Sequence, residues 1–511
     1  MYAALSQFLD ICSLPNPSRM GKSARRYCEL ALIDGHEYGP EPAERQFELS
    51  TDEIQVSSPV NERAPALCKD REERDEDQHK RRRGWPRVWL LLAVFLPVVA
   101  AFSVLYRQRL SVPYHDDYGV ILSFANEYGR LQGFTVKVVD IATTQNNDYK
   151  LGFVHFVIAM ELEFTRHLNF AFLVALGNSC LLVIAYLLWR LHRRNGSDLN
   201  QQLLEFLPIS LLFFSLTYWE SVNWAMAGLQ NLSVIIFSLL AIYFLVPKET
   251  LSFSRLLLGS ICAILAAFSS ANGFLLAPVG LLLLLRRRFF LISAVWCLSF
   301  SLPFAAYRYH YIPYHVSVHT MHRGSYVGKV CYYFAFLGCA IQQRWLAAIL
   351  GFAIFGILVL AARSGFERTN PIPFYFSIWI LLTAAPVAWL RQGIASRYSV
   401  YSLLLLICCY WFLAQYLSTR SAAFSLKCFY TSSIVLAAVL CFTSDVLAYV
   451  HLGQRQQIVL GGIENYRANP AINSPLIDRE IRQAAPEEEE FERATLTRAI
   501  AEHVYTLPPR H

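Results

Sequence analysis

The chain has 511 residues, of which 55% are hydrophobic and only 16% are charged. A soluble globular protein carries roughly a quarter charged residues, so this composition excludes an ordinary soluble enzyme. The formal net charge of +7 does not indicate a nucleic-acid partner, because the basic residues cluster at the ends of apolar runs, as in membrane proteins. We therefore expect an all-α polytopic membrane protein.

The N-terminal residues 1–84 are polar and contain a highly charged stretch at 69–83. Such a segment buries too little apolar surface to fold stably, so we predict a disordered cytoplasmic extension. The basic run 79–83 comes just before the first apolar helix. By the positive-inside rule, this run keeps the N-terminus in the cytoplasm.

The apolar runs predict about eleven transmembrane helices, since crossing a bilayer takes about 20 residues of helix. The run 256–285 is interrupted at 269–273 by turn-forming residues, which favours a hairpin of two short helices over one long helix. A hairpin also places Arg286 and its two arginine neighbours on the side of the other basic clusters. The other predicted spans are 88–106, 168–191, 203–218, 229–246, 289–307, 345–362, 372–390, 398–417 and 428–447.

These crossings define three parts of the chain in an inner (plasma) membrane. They are the extension 1–84, a transmembrane domain 85–447 and a short external tail 448–511. The two long outer loops are 107–167 and 308–344. Within the first of them, the amphipathic segment 151–164 is predicted to be a helix lying in the membrane interface.

Polar side chains at membrane depth are costly and therefore indicate function. The predicted topology gathers them on the non-cytoplasmic face, in four separate connections. The arms of the short hairpin have only about 12–13 apolar residues each, too few to cross a hydrocarbon core about 30 Å thick. Its turn should then lie below the outer surface, in a cavity open to that face.

The pair Asp116-Asp117, soon after the first helix, carries a resemblance to a known family. The chain resembles GT-C type glycosyltransferases, multi-helix membrane enzymes that take a sugar from a polyprenyl-phosphate carrier. They share an acidic residue or pair in the first outer loop, followed by interfacial helices. The elements at 219–230, 270–273 and 396–398 also resemble those of bacterial membrane proteins of this group. The resemblance covers roughly residues 87–447 and implies a GT-C-like bundle; the compact tail departs from the pattern and leaves the acceptor open.

The resemblance implies that Asp116 or Asp117 is a general base for the acceptor hydroxyl, or a ligand of a divalent cation such as Mg²⁺ or Mn²⁺. The alternative is that the pair is solvated and caps a helix beginning at Gly119. Arg397 suits the lipid phosphate, because its planar guanidinium binds phosphate oxygens bidentately. Otherwise it is an interfacial arginine that extends towards headgroups. Its predicted supports are Tyr398 and Arg391.

Several amide, carboxylate and aromatic groups are candidates for binding the sugar. Glu220, Asn223, Gln230 and Asn272 can hydrogen-bond hydroxyl groups, and Trp224 offers a ring for stacking. The alternative is an aromatic belt at the membrane surface beside a helix cap. The histidines of the second outer loop have partly helical spacing, but Pro313 argues against a metal-binding helix there.

The expected activity is transfer of a sugar from a lipid-linked donor to a cell-envelope glycan or lipid, with membrane lipids around the protein. A flippase or transporter of lipid-linked sugars is an alternative, but it predicts inverted repeats and polar groups near the bilayer midplane. A polysaccharide polymerase or ligase would instead rely on cationic groups of the second outer loop. Those groups are Arg308, His310, His315, His319, His322 and Arg323.

Overall fold

A computed structural model describes most of the chain after residue 86. The described residues are 87–146, 149–193, 198–246, 251–312, 325–390, 394–420, 423–473, 475 and 486–509. The predicted extension 1–84 lies outside them. So do six residues named above: Arg391, Pro313, His315, His319, His322 and Arg323.

The described part is almost entirely helical, and nine of its helices are long and apolar enough to cross a membrane. The chain is therefore a multi-pass α-helical membrane protein. Two further apolar helices, Phe253–Ser269 and Ala271–Arg286, are shorter and form the predicted hairpin. The nine are Arg87–Arg107, Phe170–His192, Leu199–Val222, Ala225–Leu245, Phe290–Arg308, Arg344–Arg363, Pro371–Leu390, Ser396–Arg420 and Ser425–Ala468.

The α-helices are numbered here in chain order. They are α1 (Arg87–Arg107), α2 (Ser123–Tyr128), α3 (Phe134–Thr143), α4 (Gly152–Thr165), α5 (Phe170–His192), α6 (Leu199–Phe213), α7 (Trp219–Val222), α8 (Ala225–Leu245), α9 (Phe253–Ser269), α10 (Leu276–Arg286), α11 (Phe290–Ser299), α12 (Ser301–Arg308), α13 (Tyr326–Leu337), α14 (Arg344–Arg363), α15 (Phe366–Thr369), α16 (Pro371–Leu390), α17 (Ser399–Arg420), α18 (Ala423–Ala468) and α19 (Pro486–Ala501). Short 3₁₀ turns cover Leu216–Tyr218, Ala271–Leu275 and Ser396–Tyr398, and a π-helical turn covers Tyr118–Leu122. Strands β1 (Gln145–Asn146) and β2 (Tyr149–Lys150) pair antiparallel, with Gln145 opposite Lys150.

The last membrane helix is longer than the sequence predicts. The continuous apolar run ends near 447, where polar residues and glycines begin to interrupt it, but α18 continues as one helix to Ala468. It stays helical there because residues such as Leu452 and Ile463 are buried against other parts of the chain. Helical structure beyond the membrane is stabilised mainly by such packing of one face.

The residues after 447 form a second hydrophobic core with the first long loop. Tyr505 donates a hydrogen bond to the Ser111 carbonyl at 2.8 Å, and the Leu168 N–H donates to the Val504 carbonyl at 2.8 Å. Apolar side chains of both segments are buried together with Trp224 and the first turn of α8. The C-terminal segment is therefore part of the structure that shapes the first loop.

The two longer helices of that loop differ in burial. The predicted interfacial segment 151–164 corresponds to α4, and seven of its residues are buried, among them His155 and Glu161. In α3 no residue is buried, and Phe134 is 83% exposed. Of the two helices, α3 is thus the better candidate for lying in a membrane surface.

Helices α13 and α14 approach each other through two glycines. A Cβ added at Gly351 would lie 1.8 Å from the Phe334 carbonyl oxygen, and one added at Gly338 would lie 2.0 Å from the Ala347 oxygen. Small residues let helix backbones come this close inside a membrane, where dispersion contacts supply much of the association energy.

This contact predicts a difference between two glycines of the same helix. Gly351→Ala should destabilise the protein by about 1–3 kcal/mol, because the added methyl group meets backbone atoms that cannot move independently. Gly356 has open space around its Cβ position. Gly356→Ala should therefore leave stability unchanged or raise it by up to about 1 kcal/mol through helix propensity. Unfolding midpoints in detergent measure both; equal midpoints for the two variants would contradict the close approach.

Candidate functional site

A cavity of about 460 Å³ lies where four connections of the chain meet. The four connections are the acidic loop (residues 108–117), the tryptophan turn (residues 219–224), the asparagine turn (residues 270–275) and the arginine turn (residues 396–398). The polar side chains that line the cavity are Asp116, Tyr149, Trp224, Gln230, Asn231, Ser270, Asn272, Thr383, Arg397, Tyr398 and Tyr401.

Asp117 is buried and fixes the acidic loop. One carboxylate oxygen accepts the Met226 N–H at 2.9 Å, at the start of α8, and the other accepts the Tyr114 N–H at 3.1 Å. Met226 lies in the first helical turn, where N–H groups have no partner within the helix. Burial raises the pKa of Asp117 to about 7, although these two hydrogen bonds lower it. The side chain makes no hydrogen bond to the helical turn that follows it. Asp117 therefore binds the start of α8 and does not cap a helix beginning at Gly119, as the alternative predicted.

Asp116 has a different environment from its neighbour. Its side chain is half-buried and lines the cavity, which that of Asp117 does not. Among the described residues, none donates a hydrogen bond to its carboxylate or forms an ion pair with it. Asp116 is thus the member of the pair that can accept a proton or contribute to binding a cation.

Arg397 contributes a positive charge to the same cavity. Its guanidinium lies over the rings of Trp224 and Tyr398, at 5.5 and 5.3 Å from their centroids. In the part of the chain that the structure describes, no carboxylate oxygen lies within 4.0 Å of it, although Glu220 and Asp116 act on its charge from further away. A cation held by aromatic faces and left without an ion-pair partner can bind an anion.

The tryptophan turn and the arginine turn are fastened to each other. The Arg397 N–H donates to a Glu220 carboxylate oxygen at 3.2 Å, and the Glu220 N–H donates to the Ser396 hydroxyl at 3.2 Å. Ser221 donates to the Arg397 carbonyl at 3.3 Å. Glu220 therefore positions the arginine backbone and does not line the cavity. Asn223, another predicted sugar ligand, is also buried outside the cavity lining.

The asparagine turn is held from three sides. Gln230 donates to the Ser270 hydroxyl at 3.2 Å, Asn272 donates to Tyr401 at 3.1 Å, and Trp379 donates to the Asn272 carbonyl at 3.1 Å. A Cβ at Gly273 would lie 2.2 Å from the backbone of α9, so only glycine fits there. The side-chain oxygen of Asn272 is buried and has no partner in the described structure, which leaves one acceptor for a ligand.

The described residues offer little for holding a metal ion. No group of three or more His, Cys, Asp or Glu side chains within them is placed to do so. Both carboxylate oxygens of Asp117 already accept backbone N–H groups, so Asp116 is the one free carboxylate of the pair. A divalent cation prefers six or more oxygen ligands and would need most of them from substrate and water.

Some residues at the site were not predicted from the sequence. Tyr149 and Tyr401 line the cavity, and Arg455 of α18 lies directly behind the acidic loop. Tyr401 could have been found from its position four residues after Arg397, at the start of a predicted helix, where such spacing places two side chains on one face. Arg455 lies beyond the last predicted span. The sequence signals that the helix continues are the absence of proline between 447 and 468 and the helical spacing of Leu452, Val459 and Ile463.

Comparison with known proteins gives no family assignment: no protein-family model, no curated protein and no solved structure matches the chain. The interpretation of the site therefore rests on its geometry and on the resemblance described above.

The burial of Asp117 predicts a pH dependence of stability. Because its pKa is raised from 3.8 to about 7, the folded protein keeps a proton that the unfolded chain has lost. Its contribution to stability is thus fully present below about pH 4 and is lost as the pH rises through about 7. The variant Asp117→Asn has no titrating group at this position. The difference between the unfolding midpoints of wild type and this variant should therefore decrease as the pH rises through this interval. Parallel midpoint curves would contradict the assignment. Asp117→Ala, which leaves two N–H groups without an acceptor, should cost about 1–3 kcal/mol for each.

Proposed function

We propose that the chain is a GT-C type glycosyltransferase that moves a sugar from a polyprenyl-phosphate donor to a glycan or lipid acceptor of the cell envelope. The observation that carries this proposal is one cavity that contains amide groups, a carboxylate and a guanidinium, neither of which has an ion-pair partner among the described residues. The carboxylate belongs to Asp116, the guanidinium to Arg397, and the amides to Gln230 and Asn272.

In this proposal the acceptor hydroxyl attacks the anomeric carbon of the donor sugar. The new bond joins the acceptor oxygen to that carbon, and the bond from the carbon to the phosphate oxygen breaks with its electron pair. The acceptor's proton passes to Asp116, which acts as general base. Arg397 binds the phosphate and stabilises the charge that it gains on leaving. Attack from the side opposite the phosphate inverts the configuration at the anomeric carbon.

The wall of the cavity formed by α16 offers a route for the prenyl chain. Pro386, Val387 and Leu390 line the cavity with apolar side chains, and Leu390 is 53% exposed. Helix α9, which leads into the asparagine turn, has 17 residues and is about 25 Å long, shorter than a hydrocarbon core of about 30 Å. A lipid can therefore keep its chain in the bilayer while its phosphate reaches Arg397.

The opposite end of the bundle carries basic residues with structural roles. Arg255 donates hydrogen bonds to the last carbonyls of α8, including Phe244 at 3.1 Å, and Arg286 forms an ion pair with Glu367. By the positive-inside rule, this end belongs in the cytoplasm. The cavity then opens on the non-cytoplasmic side of an inner (plasma) membrane, where acceptors of the cell envelope are found.

The assignment of Asp116 as general base predicts a loss of turnover without a loss of donor binding. In membranes supplied with labelled polyprenyl-phosphate sugars, Asp116→Asn should lower the transfer rate by about 10²–10⁴-fold, the usual contribution of a general base. Retention of the donor on purified protein should stay within about threefold of wild type.

Glu127→Gln is the matched control, because Glu127 is an exposed carboxylate of the first long loop (107–167) and lies outside the cavity. It should transfer sugar at the wild-type rate. If Asp116→Asn does so too, the catalytic assignment fails. Donor bound and moved across the bilayer without transfer would instead favour a flippase.

The proposed orientation is tested with reporters fused to the C-terminal residue His511. Alkaline phosphatase folds and is active only outside the cytoplasm, so the fusion should have high phosphatase activity. A fluorescent protein that folds only in the cytoplasm should stay dark at the same position. The reverse pair of results would place the cavity on the cytoplasmic side and refute this proposal.

A further inference from the structure

The outer half of α18 reaches the proposed site through Arg455. The residue is 6% exposed, and its guanidinium lies 4.1 Å from the ring centroid of Tyr114 and 4.7 Å from that of Trp219. Tyr114 belongs to the acidic loop, two residues before Asp116, and Trp219 begins the tryptophan turn. One buried cation thus contacts both segments.

The charge of Arg455 has little direct compensation. No carboxylate oxygen in the described structure lies within 4.0 Å of it, and its Nη1 is buried without a hydrogen-bond partner. The guanidinium makes a side-chain hydrogen bond with Tyr114, and Glu220 and Asp117 act on its charge from further away. Burying a cation without an ion pair is costly, and two aromatic faces with one hydrogen bond recover only part of that cost. Simple packing does not need a charge here, because an apolar side chain would fill the space more favourably.

Independent contacts fix α18 against the same region. The Leu216 N–H donates to Asp445 at 2.8 Å, and the ring of Trp219 stacks on His451 with centroids 5.2 Å apart and planes at 10°. The helix is therefore anchored to the tryptophan turn without Arg455. What Arg455 adds is the link to Tyr114, whose ring also packs edge-on against Trp224 at 5.6 Å.

We propose that Arg455 is a positioning residue: it holds the acidic loop against the tryptophan turn, so that Asp116 faces Arg397 at the right separation. The consequence for catalysis rests on the proposed function, whereas the holding of the loop does not. A displacement of about 1 Å in a catalytic group can cost about 100-fold in rate. Arg455 should therefore affect turnover more than donor binding.

The kinetic test compares three variants of α18. Arg455→Gln should lower kcat by about 10- to 100-fold, with the KM for the donor within about threefold of wild type. Arg455→Lys keeps the charge but loses the planar stacking surface, so it should restore part of kcat. Gln454→Ala, at the exposed neighbouring position, should match wild type. A kcat within twofold of wild type for Arg455→Gln, or no rescue by lysine, would overturn the proposal.

A second readout needs no transfer activity. The variant Asp116→Cys is labelled with a membrane-impermeant maleimide in the presence and absence of Arg455→Gln, and the labelling of the natural cysteines is subtracted. Loosening of the acidic loop should raise the labelling rate severalfold, and an unchanged rate would refute the positioning role. Faster labelling, together with no sugar transfer by the protein that keeps Asp116, would refute the proposed function alone.

Discussion

The buried carboxylate of Asp117 determines where the other groups of the site lie. By accepting the N–H groups of Tyr114 and Met226, it joins the acidic loop to the beginning of α8. A helix start attracts negative charge and has free N–H donors, so this is a favourable place for an otherwise costly buried acid. Its neighbour Asp116 is turned to the cavity as a result, and two adjacent aspartates acquire different environments.

In the rest of the site, too, most polar groups form hydrogen bonds with other parts of the protein. Glu220 binds the backbone of Arg397, Gln230 binds Ser270, and Asn272 binds Tyr401. These bonds join turns that are far apart in sequence and leave few polar groups free. Among the described residues, the Asp116 carboxylate and one oxygen of Asn272 have no partner, and the Arg397 guanidinium has no ion pair. A site with fixed supports and few free groups is preorganised, so binding a ligand requires little reordering.

The sequence predicts the helices better than it predicts the partners of the polar residues. Apolar runs and turn residues locate the long apolar helices and the short hairpin, because bilayer thickness and backbone hydrogen bonding impose strong local constraints. The division of roles between Asp116 and Asp117 depends on Met226, more than 100 positions along the chain, and no local pattern shows that contact. The extension of α18 to Ala468 also depends on distant packing, so hydropathy alone ends the span near 447 and misses Arg455.

The Asp116 carboxylate and the Arg397 guanidinium share one cavity without forming an ion pair with each other. Opposite charges near a protein surface attract by about 4 kcal/mol at 4 Å, so flexible side chains would be expected to close the gap. Here each partner is restrained: the Arg397 backbone by Glu220 and its guanidinium by two rings, and Asp116 by the bonds of Asp117. Holding the charges apart preserves a space with a cationic end and an acidic end, which the proposed reaction would use to bind the phosphate and to accept the proton. Transfer of a group from a phosphate to a hydroxyl requires such an arrangement, because the charge that develops on the leaving group and the proton released by the nucleophile must be received at opposite ends.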